Sequence, residues 1–471
     1  MSLDSILLLR FEWIITLIIF ILLVLKLSDA DNKVGALMKA INVLLFVNFA
    51  AGLLPIGEGS LFNGFFKTSE LIVLEKNILN LGVLLISLAS FTWLTNHKHR
   101  IEFYILMLSS MLGVYVMLSS GHLLMLYLGL EMSTIPVAAL ANFNKTEKRS
   151  SEAGVKFILS STFSTGIMLF GISLLYGAVG NLSFESIIAN LHPDALTLFA
   201  FAFILGGFGF KMSMVPFHLW TADVYEGSPV GVTNYLSVIS KGSVIFIFIT
   251  VLYTVFGGMK DAWLLAVGVL AVLSMTIGNL FALRQDNIKR LLAFSSISQV
   301  GFVLVGIAGA AKVGVTAVVY FVLIYMLSNI AAFGVAGAIA DTTGKESLNK
   351  AYKGLYKSNP FYALILALAL FSLAGVPPTA GFFGKLFLLT SGMGTAMYVV
   401  LGIAGINLVI SLYNYLRVVK YMFIDEAEEV LPVVDKNKAL TTALIVCIIG
   451  LLVIGFVTPI YQYIDSISFG M

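Results

Sequence analysis

Long apolar runs separated by short polar connections follow one another along the whole chain. A helix needs about 20 mostly apolar residues to cross the hydrocarbon of a bilayer, so this pattern predicts an all-α polytopic membrane protein. The predicted transmembrane helices, numbered 1 to 14 in chain order, span residues 11–27, 34–54, 71–94, 101–119, 122–141, 153–179, 196–220, 229–254, 262–283, 290–310, 313–340, 360–391, 396–423 and 439–463. The longest connections cannot hold a soluble domain, and residues 1–471 are predicted to form a single membrane domain.

The composition excludes several classes of protein. Of 471 residues, 59% are hydrophobic and only 11% are charged, whereas a soluble protein carries roughly 25% charged residues. The net charge of +3 is too small to indicate a nucleic-acid partner. The single cysteine, Cys447, excludes an intrachain disulfide and leaves too few thiolates for an iron–sulfur cluster. Because nucleotide-binding glycine motifs are also absent from the sequence, no cofactor is predicted in this chain.

Lysine and arginine are distributed unevenly between the predicted loops. The loops that follow odd-numbered helices carry sixteen, whereas the even loops and the termini carry four, Arg10, Lys67, Lys260 and Lys312. Because basic residues are retained on the cytoplasmic side, the odd loops are predicted to face the cytoplasm of a bacterial cell. Both termini are then predicted on the other side of the inner membrane, which agrees with an even number of helices.

Two predicted helices carry a Val-Pro pair, Val215-Pro216 in helix 7 and Val376-Pro377 in helix 12, separated by 161 residues. Helices 4 and 9 begin at the same separation. Helices 4–8 (101–254) and 9–13 (262–423) are therefore predicted to be two copies of a five-helix unit, inverted because the unit has an odd number of helices. Three N-terminal helices (1–100) and one C-terminal helix (439–463) flank them. Inverted repeats with broken helices are typical of transporters, although prolines are also common in membrane helices.

Five ionisable side chains are predicted to lie within the membrane: Glu131, Lys156, Lys211, Lys241 and Lys385. A charge at the bilayer centre costs at least about 2.5 kcal/mol on insertion scales, and one glutamate cannot neutralise four lysines. Burial favours the neutral form of a lysine, whereas a nearby carboxylate favours the charged form. Such a lysine can alternate between the two, so the group indicates a proton relay. For any single residue, a static ion pair that fixes helix packing is the alternative.

A few further polar residues are ambiguous. His218 and Asp223 follow the break at Pro216 and are possible relay members. Glu75 and Lys76, in helix 3, are predicted to form a local ion pair. No set of His, Cys and carboxylate residues has the spacing of metal ligands, so no metal site is predicted.

Three segments carry a family likeness. Residues 211–229, KMSMVPFHLWTADVYEGSP, strongly resemble the broken seventh helix of the antiporter-like subunits of proton-pumping NADH–quinone oxidoreductase, respiratory complex I. Residues 287–301, NIKRLLAFSSISQVG, are similar to the tenth helix of that family, and residues 375–385, GVPPTAGFFGK, to the twelfth. The likeness covers nearly the whole chain and is nearest to the subunit N type.

The resemblance implies a role for each buried charge. Glu131 and Lys211 match the ion pair between helices 5 and 7, Lys241 matches the central relay lysine, and Lys156 matches the lysine near the inner side of helix 6. Lys385 matches the distal lysine of helix 12, where Na⁺/H⁺ antiporter subunits and the subunit M type usually carry a glutamate.

Two positions depart from the family pattern. Ala222 stands where proline is usual, which changes backbone stiffness. Gln299 stands where a histidine is common, which removes a protonatable group from helix 10.

The resemblance further implies a function. The chain is expected to carry protons from a cytoplasmic half-channel through a midplane lysine chain to an outward exit, as a subunit of a translocase. NADH, flavin, iron–sulfur clusters and quinone are expected in the assembled complex. The expected partners are neighbouring antiporter-like and small membrane subunits and the lipid bilayer. The alternatives are a subunit of a multi-chain Na⁺/H⁺ antiporter or membrane-bound hydrogenase, a free-standing solute transporter, and a non-conducting scaffold.

Overall fold

The computed structural model describes residues 3–28, 34–55, 57–309, 311–393, 397–427, 431–435 and 437–468. Lys33 and Lys436, which contribute to the charge asymmetry, lie outside these ranges. The described helices are α1 (Leu3–Leu8), α2 (Arg10–Leu27), α3 (Val34–Ala51), α4 (Glu70–Ala89), α5 (Phe91–Asn96), α6 (Arg100–Leu118), α7 (Leu123–Ala141), α8 (Lys148–Val179), α9 (Phe184–Asn190), α10 (Ala195–Met212), α11 (Leu219–Gly227), α12 (Val230–Tyr235), α13 (Lys241–Thr250), α14 (Lys260–Ala282), α15 (Ile288–Ile307), α16 (Ala311–Thr343), α17 (Leu348–Ala351), α18 (Leu355–Ser358), α19 (Pro360–Ala374), α20 (Ala380–Met393), α21 (Tyr398–Phe423), α22 (Lys438–Phe456) and α23 (Thr458–Ile467).

The helices account for the apolar runs of the sequence. Of the described helices, eleven are long and apolar enough to span a membrane, or up to twelve if the bent pair Leu348–Ser358 and Pro360–Ala374 counts as one span. The remaining predicted spans coincide with α2, which includes Arg10, Glu12 and Lys26, and with the shorter apolar helices α3, α19 and α20. The number fourteen therefore remains a prediction, whereas the polytopic helical architecture is established.

The predicted odd loops converge at one end of the molecule, the basic end. Residues from six of them line a single cavity there, including Asn96, Asn144, Ser228, Asn287 and Lys345. The even loops meet at the opposite end, where strands β1 (Gly59–Leu61) and β2 (Phe66–Thr68) form an antiparallel hairpin. Phe66 bridges to Ser120, and His122 bridges to Ser183. This hairpin end was not predicted from the sequence, because its two strands have only three residues each.

Both predicted helix breaks are confirmed, and they share a backbone pattern. Helix α10 ends at Met212, and Ser213 then adopts a left-handed conformation with φ 63°. Helix α19 ends at Ala374, and Gly375 follows with φ 85°. At each break the next N–H donates back five residues: Met214 to the Gly209 carbonyl at 2.8 Å, and Val376 to the Phe371 carbonyl at 2.9 Å. The chain then resumes as α11 and α20, so two unwound segments of similar shape lie within the helical core.

A second correspondence relates the helix pair α6–α7 to the pair α14–α15. A Cβ placed on Gly113 of α6 would lie 2.3 Å from the Ser133 nitrogen, and one on Gly278 of α14 would lie 2.6 Å from the Ser298 nitrogen. Only glycine permits such close contact between helix backbones. In each pair the glycine and the serine are twenty positions apart, so the two pairs pack in the same way.

The parity of the helices leads to a topological prediction. We expect a reporter fused after Met471 to be exposed outside the cytoplasm, and one inserted within residues 345–357 to be cytoplasmic, because basic loops remain inside. Protease accessibility or an alkaline phosphatase reporter in intact cells measures both. Finding the two reporters on the same side would mean that the number of spans is wrong.

Candidate functional site

Lys211 lies at the last turn of α10, just before the helix is interrupted. Its side chain is 6% exposed. The Nζ atom donates hydrogen bonds to Thr134 Oγ1 of α7 at 2.6 Å and to Ser161 Oγ of α8 at 2.8 Å. The lysine therefore links three helices through hydroxyl groups, which accept its hydrogen bonds but carry no charge.

The direct ion pair expected between Glu131 and Lys211 is not present among the described residues. Glu131 interacts with Lys211 electrostatically, but its Oε1 is buried and accepts no hydrogen bond within the described part of the chain. Instead, the ammonium group of Lys211 donates to Thr134, which lies three residues further along α7. Residues three apart are neighbours on a helix surface, so the carboxylate and the hydroxyl form adjacent alternatives for the ammonium group.

Lys241 begins α13, immediately after a π-helical turn at Leu236–Ser240. Its side chain is 1% exposed, and Nζ donates to Ser296 Oγ of α15 at 2.8 Å. The Tyr225 ring lies 5.6 Å from Nζ, a distance at which the ring face attracts a cation. π-Helical turns widen the backbone and are frequent at functional sites.

Lys385 lies beside the second break. It is 3% exposed, and Nζ donates to the Ala374 carbonyl, the last of α19, at 3.3 Å, while the Phe302 ring lies 4.7 Å from Nζ. Gln299 donates through Nε2 to the neighbouring Leu373 carbonyl at 2.9 Å. The last carbonyls of a helix have no partner within it and carry its negative dipole end. The two side chains therefore compensate the end of α19, and Gln299 has a structural role that does not need a proton.

Lys156 is not grouped with the three buried lysines. Its side chain is 42% exposed and forms ion pairs with Glu152 at 2.7 Å and Asp223 at 2.6 Å. Asp223 also pairs with Arg290 at 2.8 Å. Burial raises the pKa of Asp223, but the hydrogen bonds from Lys156 and Arg290 outweigh burial and hold this pKa below its ordinary value. The sequence placed Lys156 within a membrane helix but could not show which way it faces.

The ion pairs around Asp223 continue into a network that was not predicted. Arg290 pairs with Glu226 at 2.8 Å, and Lys289, which is buried, pairs with Glu346 at 2.7 Å. Asn287 links the two pairs by donating to Glu226 at 3.3 Å and to Glu346 at 3.0 Å. Apart from Arg290, the first residue of predicted helix 10, these residues lie in predicted loops, although the motifs at 211–229 and 287–301 contain most of them. Their clustering at the start of α15 was the available signal.

This charged network lines the cavity at the basic end, which has a volume of about 1090 Å³. Its walls include Arg149, Glu226, Lys289 and Glu346, and it extends inward to Asn234 of α12. Asn234 precedes Lys241 by seven residues, which is about 10 Å along a helix axis. The cavity thus leads from one end of the molecule towards the central lysine.

The remaining candidates lie apart from this arrangement. His218 is buried just before α11, and its Nδ1 forms no hydrogen bond with Lys211, Asp223 or any other described residue. The prediction of a local ion pair between Glu75 and Lys76 is wrong in its partner: Lys76 Nζ pairs with Glu12 of α2 at 2.5 Å. Adjacent helix residues point about 100° apart, so Glu75 and Lys76 face different neighbours.

Residues 120–411 match the family model described as NADH:quinone oxidoreductase/Mrp antiporter, TM. The chain belongs to this family. Members include a relative from Azobacteroides pseudotrichonymphae genomovar. CFP2, named NADH-quinone oxidoreductase subunit N, which is 45% identical over 417 residues, covering 88% of this chain and 87% of the relative. A relative of the same name from Phocaeicola vulgatus is 41% identical over 470 residues, covering 99% of each chain.

Solved structures show the same family fold. A chain of respiratory complex I from Thermus thermophilus with bound aureothin superposes with a TM-score of 0.81 at 27% identity, covering 95% of this chain and 97% of that one. A chain of the Mrp complex from Dietzia sp. DQ12-45-1b superposes with a TM-score of 0.87 at 20% identity, covering 99% and 97%. At that identity, the second likeness shows the fold alone.

Proposed function

We propose that this chain is a proton-translocating membrane subunit of an NADH–quinone oxidoreductase, and that redox chemistry takes place in partner subunits. The observation that carries the proposal is the environment of Lys211, Lys241 and Lys385. Each is almost fully buried, and each donates to neutral oxygen atoms among the described residues. The subunit N names of the 41–45% identical relatives point to this oxidoreductase rather than to an antiporter.

The chemistry of these lysines supports proton transfer. A buried ammonium without a counter-ion is costly, but hydroxyl and carbonyl acceptors offset part of that cost. The balance between the charged and neutral forms is then close enough for small movements to change it. Each lysine also lies beside a helix break or a π-helical turn, where irregular backbone lines the interior of membrane transporters.

The proposed path enters at the basic end. The cavity lined by Glu226, Lys289 and Glu346 would collect protons from the cytoplasm and deliver them past Asn234 towards Lys241. Lys156 and Asp223 stand beside this entrance in an ion-pair network with Arg290, which supports a role in proton uptake rather than in the buried relay. His218 would be no more than an accessory group.

The matched helix breaks support a repeated scaffold for this path. The similar backbone of the segments after Met212 and Ala374, and the similar packing of Gly113 and Gly278, are what two related five-helix units would produce. We propose units at 101–254 and 262–423 in opposite membrane orientation, flanked by residues 1–100 and 439–463. The bacterial inner membrane is the proposed location, with the basic end in the cytoplasm.

Purification of the assembled complex tests the proposal. We expect the chain to copurify with flavin- and iron–sulfur-containing subunits and with NADH–quinone oxidoreductase activity. Nickel in the purified complex would instead indicate a hydrogenase, and the absence of every redox centre would indicate a multi-chain Na⁺/H⁺ antiporter. Either result would contradict the proposed function.

Lys385 provides a test of the second break. We expect Lys385→Ala to reduce proton pumping by about ten-fold or more while the complex assembles, because loss of an acid–base group typically costs at least that much. Lys385→Glu should retain part of the activity, since a carboxyl group also exchanges a proton. Quinone-dependent acidification of sealed vesicles, divided by NADH oxidation, measures the effect.

The matched control is Lys420→Ala. Lys420 is exposed on α21 and pairs with Asp425 at 3.5 Å, and such surface pairs contribute only about 0–1 kcal/mol. Normal pumping by Lys385→Ala, with pumping by the control also normal, would make Lys385 a packing residue.

A further inference from the structure

Helix α4 carries a second group of buried charges that the relay does not use. Glu75 and Lys76, the sixth and seventh residues of the helix counted from the hairpin end, are 2% and 1% exposed. Lys76 pairs with Glu12 of α2 at 2.5 Å, between the rings of Phe66 at 5.0 Å and Tyr115 at 5.4 Å. This ion pair fixes α2 against α4 and accounts for the burial of both of its members.

The ion pair does not account for Glu75. Its Oε1 is fully buried and accepts no hydrogen bond in the described part of the chain. A buried carboxyl oxygen without a partner is destabilising, and a packing role would be served as well by an apolar residue. The contact between α4 and its neighbours is already secured by Asn80, which accepts a hydrogen bond from Tyr115, whose hydroxyl accepts one from Asn48 at 2.9 Å.

The face of α4 that carries Glu75 packs against the helix of Lys241. Leu79, one turn further along α4, lies 3.6 Å from the Cβ position of Gly242, and Gly82 contacts Ile239 and Met326. Residues four apart share a helix face and are separated by about 6 Å along the axis. Glu75 is therefore one turn from the Leu79–Gly242 contact, displaced towards the hairpin end.

We propose that Glu75 is a further proton-carrying residue, the outlet of the relay on the hairpin side of Lys241. This inference rests on the proposed function. The ammonium of Lys241 releases a proton and becomes a neutral amine, and the Glu75 carboxylate accepts it and becomes a neutral acid. Glu75 then releases that proton towards the hairpin end and returns to the carboxylate. Glu12, with 13% of its side chain exposed, is the member of the group through which the site reaches the surface.

The other titratable and charged groups facing this site are compatible with that cycle. Arg10 and Lys76 supply positive charge on the hairpin side, and Glu12 balances one of them. The remaining positive charge favours the carboxylate form of Glu75, so a proton that Glu75 accepts is released again towards the hairpin end. Tyr115 is engaged by Asn80 and Asn48.

The test uses the assembled complex in sealed vesicles. Glu75→Gln keeps the shape of the side chain but removes its acid, and we expect the ratio of pumped protons to oxidised NADH to fall roughly two-fold or more. Glu75→Asp should restore part of the ratio. Glu70→Gln is the matched control, because Glu70 lies on the same helix, exposed at its hairpin end, and its variant should pump normally.

Infrared difference spectroscopy separates proton transfer from packing. A carboxylic acid C=O band that appears during turnover should be absent in Glu75→Gln and shifted in Glu75→Asp, whereas a purely structural residue would leave no such band. If the complex with Glu75→Gln fails to assemble, Glu75→Asp still tests the proposal, through the shifted band and a lowered ratio of pumped protons to oxidised NADH.

Two outcomes distinguish failure of the role of Glu75 from failure of the proposed function. The role of Glu75 would be overturned by normal pumping in Glu75→Gln, or by an unshifted band in Glu75→Asp. If Lys241→Met pumps poorly in the same experiments, the proposed function remains intact. Normal pumping by Lys241→Met would overturn the proposed function itself.

Discussion

Replacement of Lys241 with methionine is expected to stop proton pumping almost completely while the complex still assembles. Lys241 is the central buried lysine, it follows a π-helical turn, and its described hydrogen-bond partner is a hydroxyl group, Ser296 Oγ at 2.8 Å. Methionine fills the same space but carries no proton. Because general acid–base groups contribute roughly 10²–10⁴-fold to a rate, we expect pumping to fall at least about ten-fold.

The protein should tolerate this change. Ser296 keeps a hydrogen bond when the lysine is removed, since its hydroxyl also donates to the Ala293 carbonyl at 2.7 Å. Losing one hydrogen-bond partner is costly mainly when the other is left buried and unsatisfied, and Ser296 is not left so. Subunit content after purification checks assembly, and vesicle acidification per NADH oxidised measures pumping.

Lys357→Met is the matched control for Lys241→Met. The Lys357 side chain is exposed at the basic end and pairs with Glu426 at 3.0 Å, and it lies outside the buried lysine group. Normal pumping by this variant, and loss of pumping by Lys241→Met, would locate the effect at the buried lysine. If both variants pumped normally, a midplane relay through Lys241 would not exist.

Features that depend on position along a helix could be predicted from the sequence. The apolar runs located the helices, and the two Val-Pro pairs located breaks that the structure places after Met212 and Ala374. Proline cannot donate the backbone hydrogen bond that a continuous helix needs, so this inference required no tertiary information. Lys211, Lys241 and Lys385 were predicted inside membrane helices in the same way; the structure buries all three side chains within the protein.

Features that depend on the rotation of a helix, or on which partner is nearest, could not be predicted. Lys156 and Lys211 are both placed in membrane helices by the sequence, but Lys156 faces two carboxylates at the surface, whereas Lys211 faces two buried hydroxyls. Charge alone favoured Glu131 as the partner of Lys211, but Thr134 is nearer. Position along the helix fixes only how deep a side chain lies, whereas its chemistry also depends on the rotation of the helix and on the nearest partner.

Helix boundaries explain the missed network at the basic end. Predicted helix 10 began at Arg290 and left Lys289 in the preceding loop, but α15 begins at Ile288, and both side chains project from its first turn towards Glu226 and Glu346. An error of two residues in a predicted helix end is therefore enough to assign an ion-paired residue of a structured cluster to a solvated loop. The charge count across the membrane is insensitive to that error, whereas the site is not.

Glu131→Gln is expected to reduce proton pumping severely, and Glu131→Asp only in part. Lys211 donates to Thr134 Oγ1 at 2.6 Å, and the Glu131 carboxylate lies three residues earlier on the same helix with an unpartnered oxygen. We propose that Lys211 moves between these two acceptors as the break after Met212 flexes. The carboxylate position favours the ammonium form, and the hydroxyl position favours proton release. Glutamine removes the first position, whereas aspartate keeps the charge but shortens the reach.

The complementary variant, Thr134→Val, tests this mechanism through the direction in which the pH dependence of pumping shifts. Valine has nearly the shape of threonine but offers no hydroxyl. Ser161 Oγ, at 2.8 Å, is then the hydroxyl acceptor that Lys211 keeps, so Lys211 should spend more time near Glu131 and hold its proton. Both variants should pump poorly, but for opposite reasons. A lower pH supplies protons and should partly relieve Glu131→Gln, whereas a higher pH should partly relieve Thr134→Val, each measured against wild type in sealed vesicles. A shift of both variants in the same direction would mean that Lys211 does not alternate between the two acceptors. Wild-type pumping by an assembled Glu131→Gln complex would make the carboxylate a structural group.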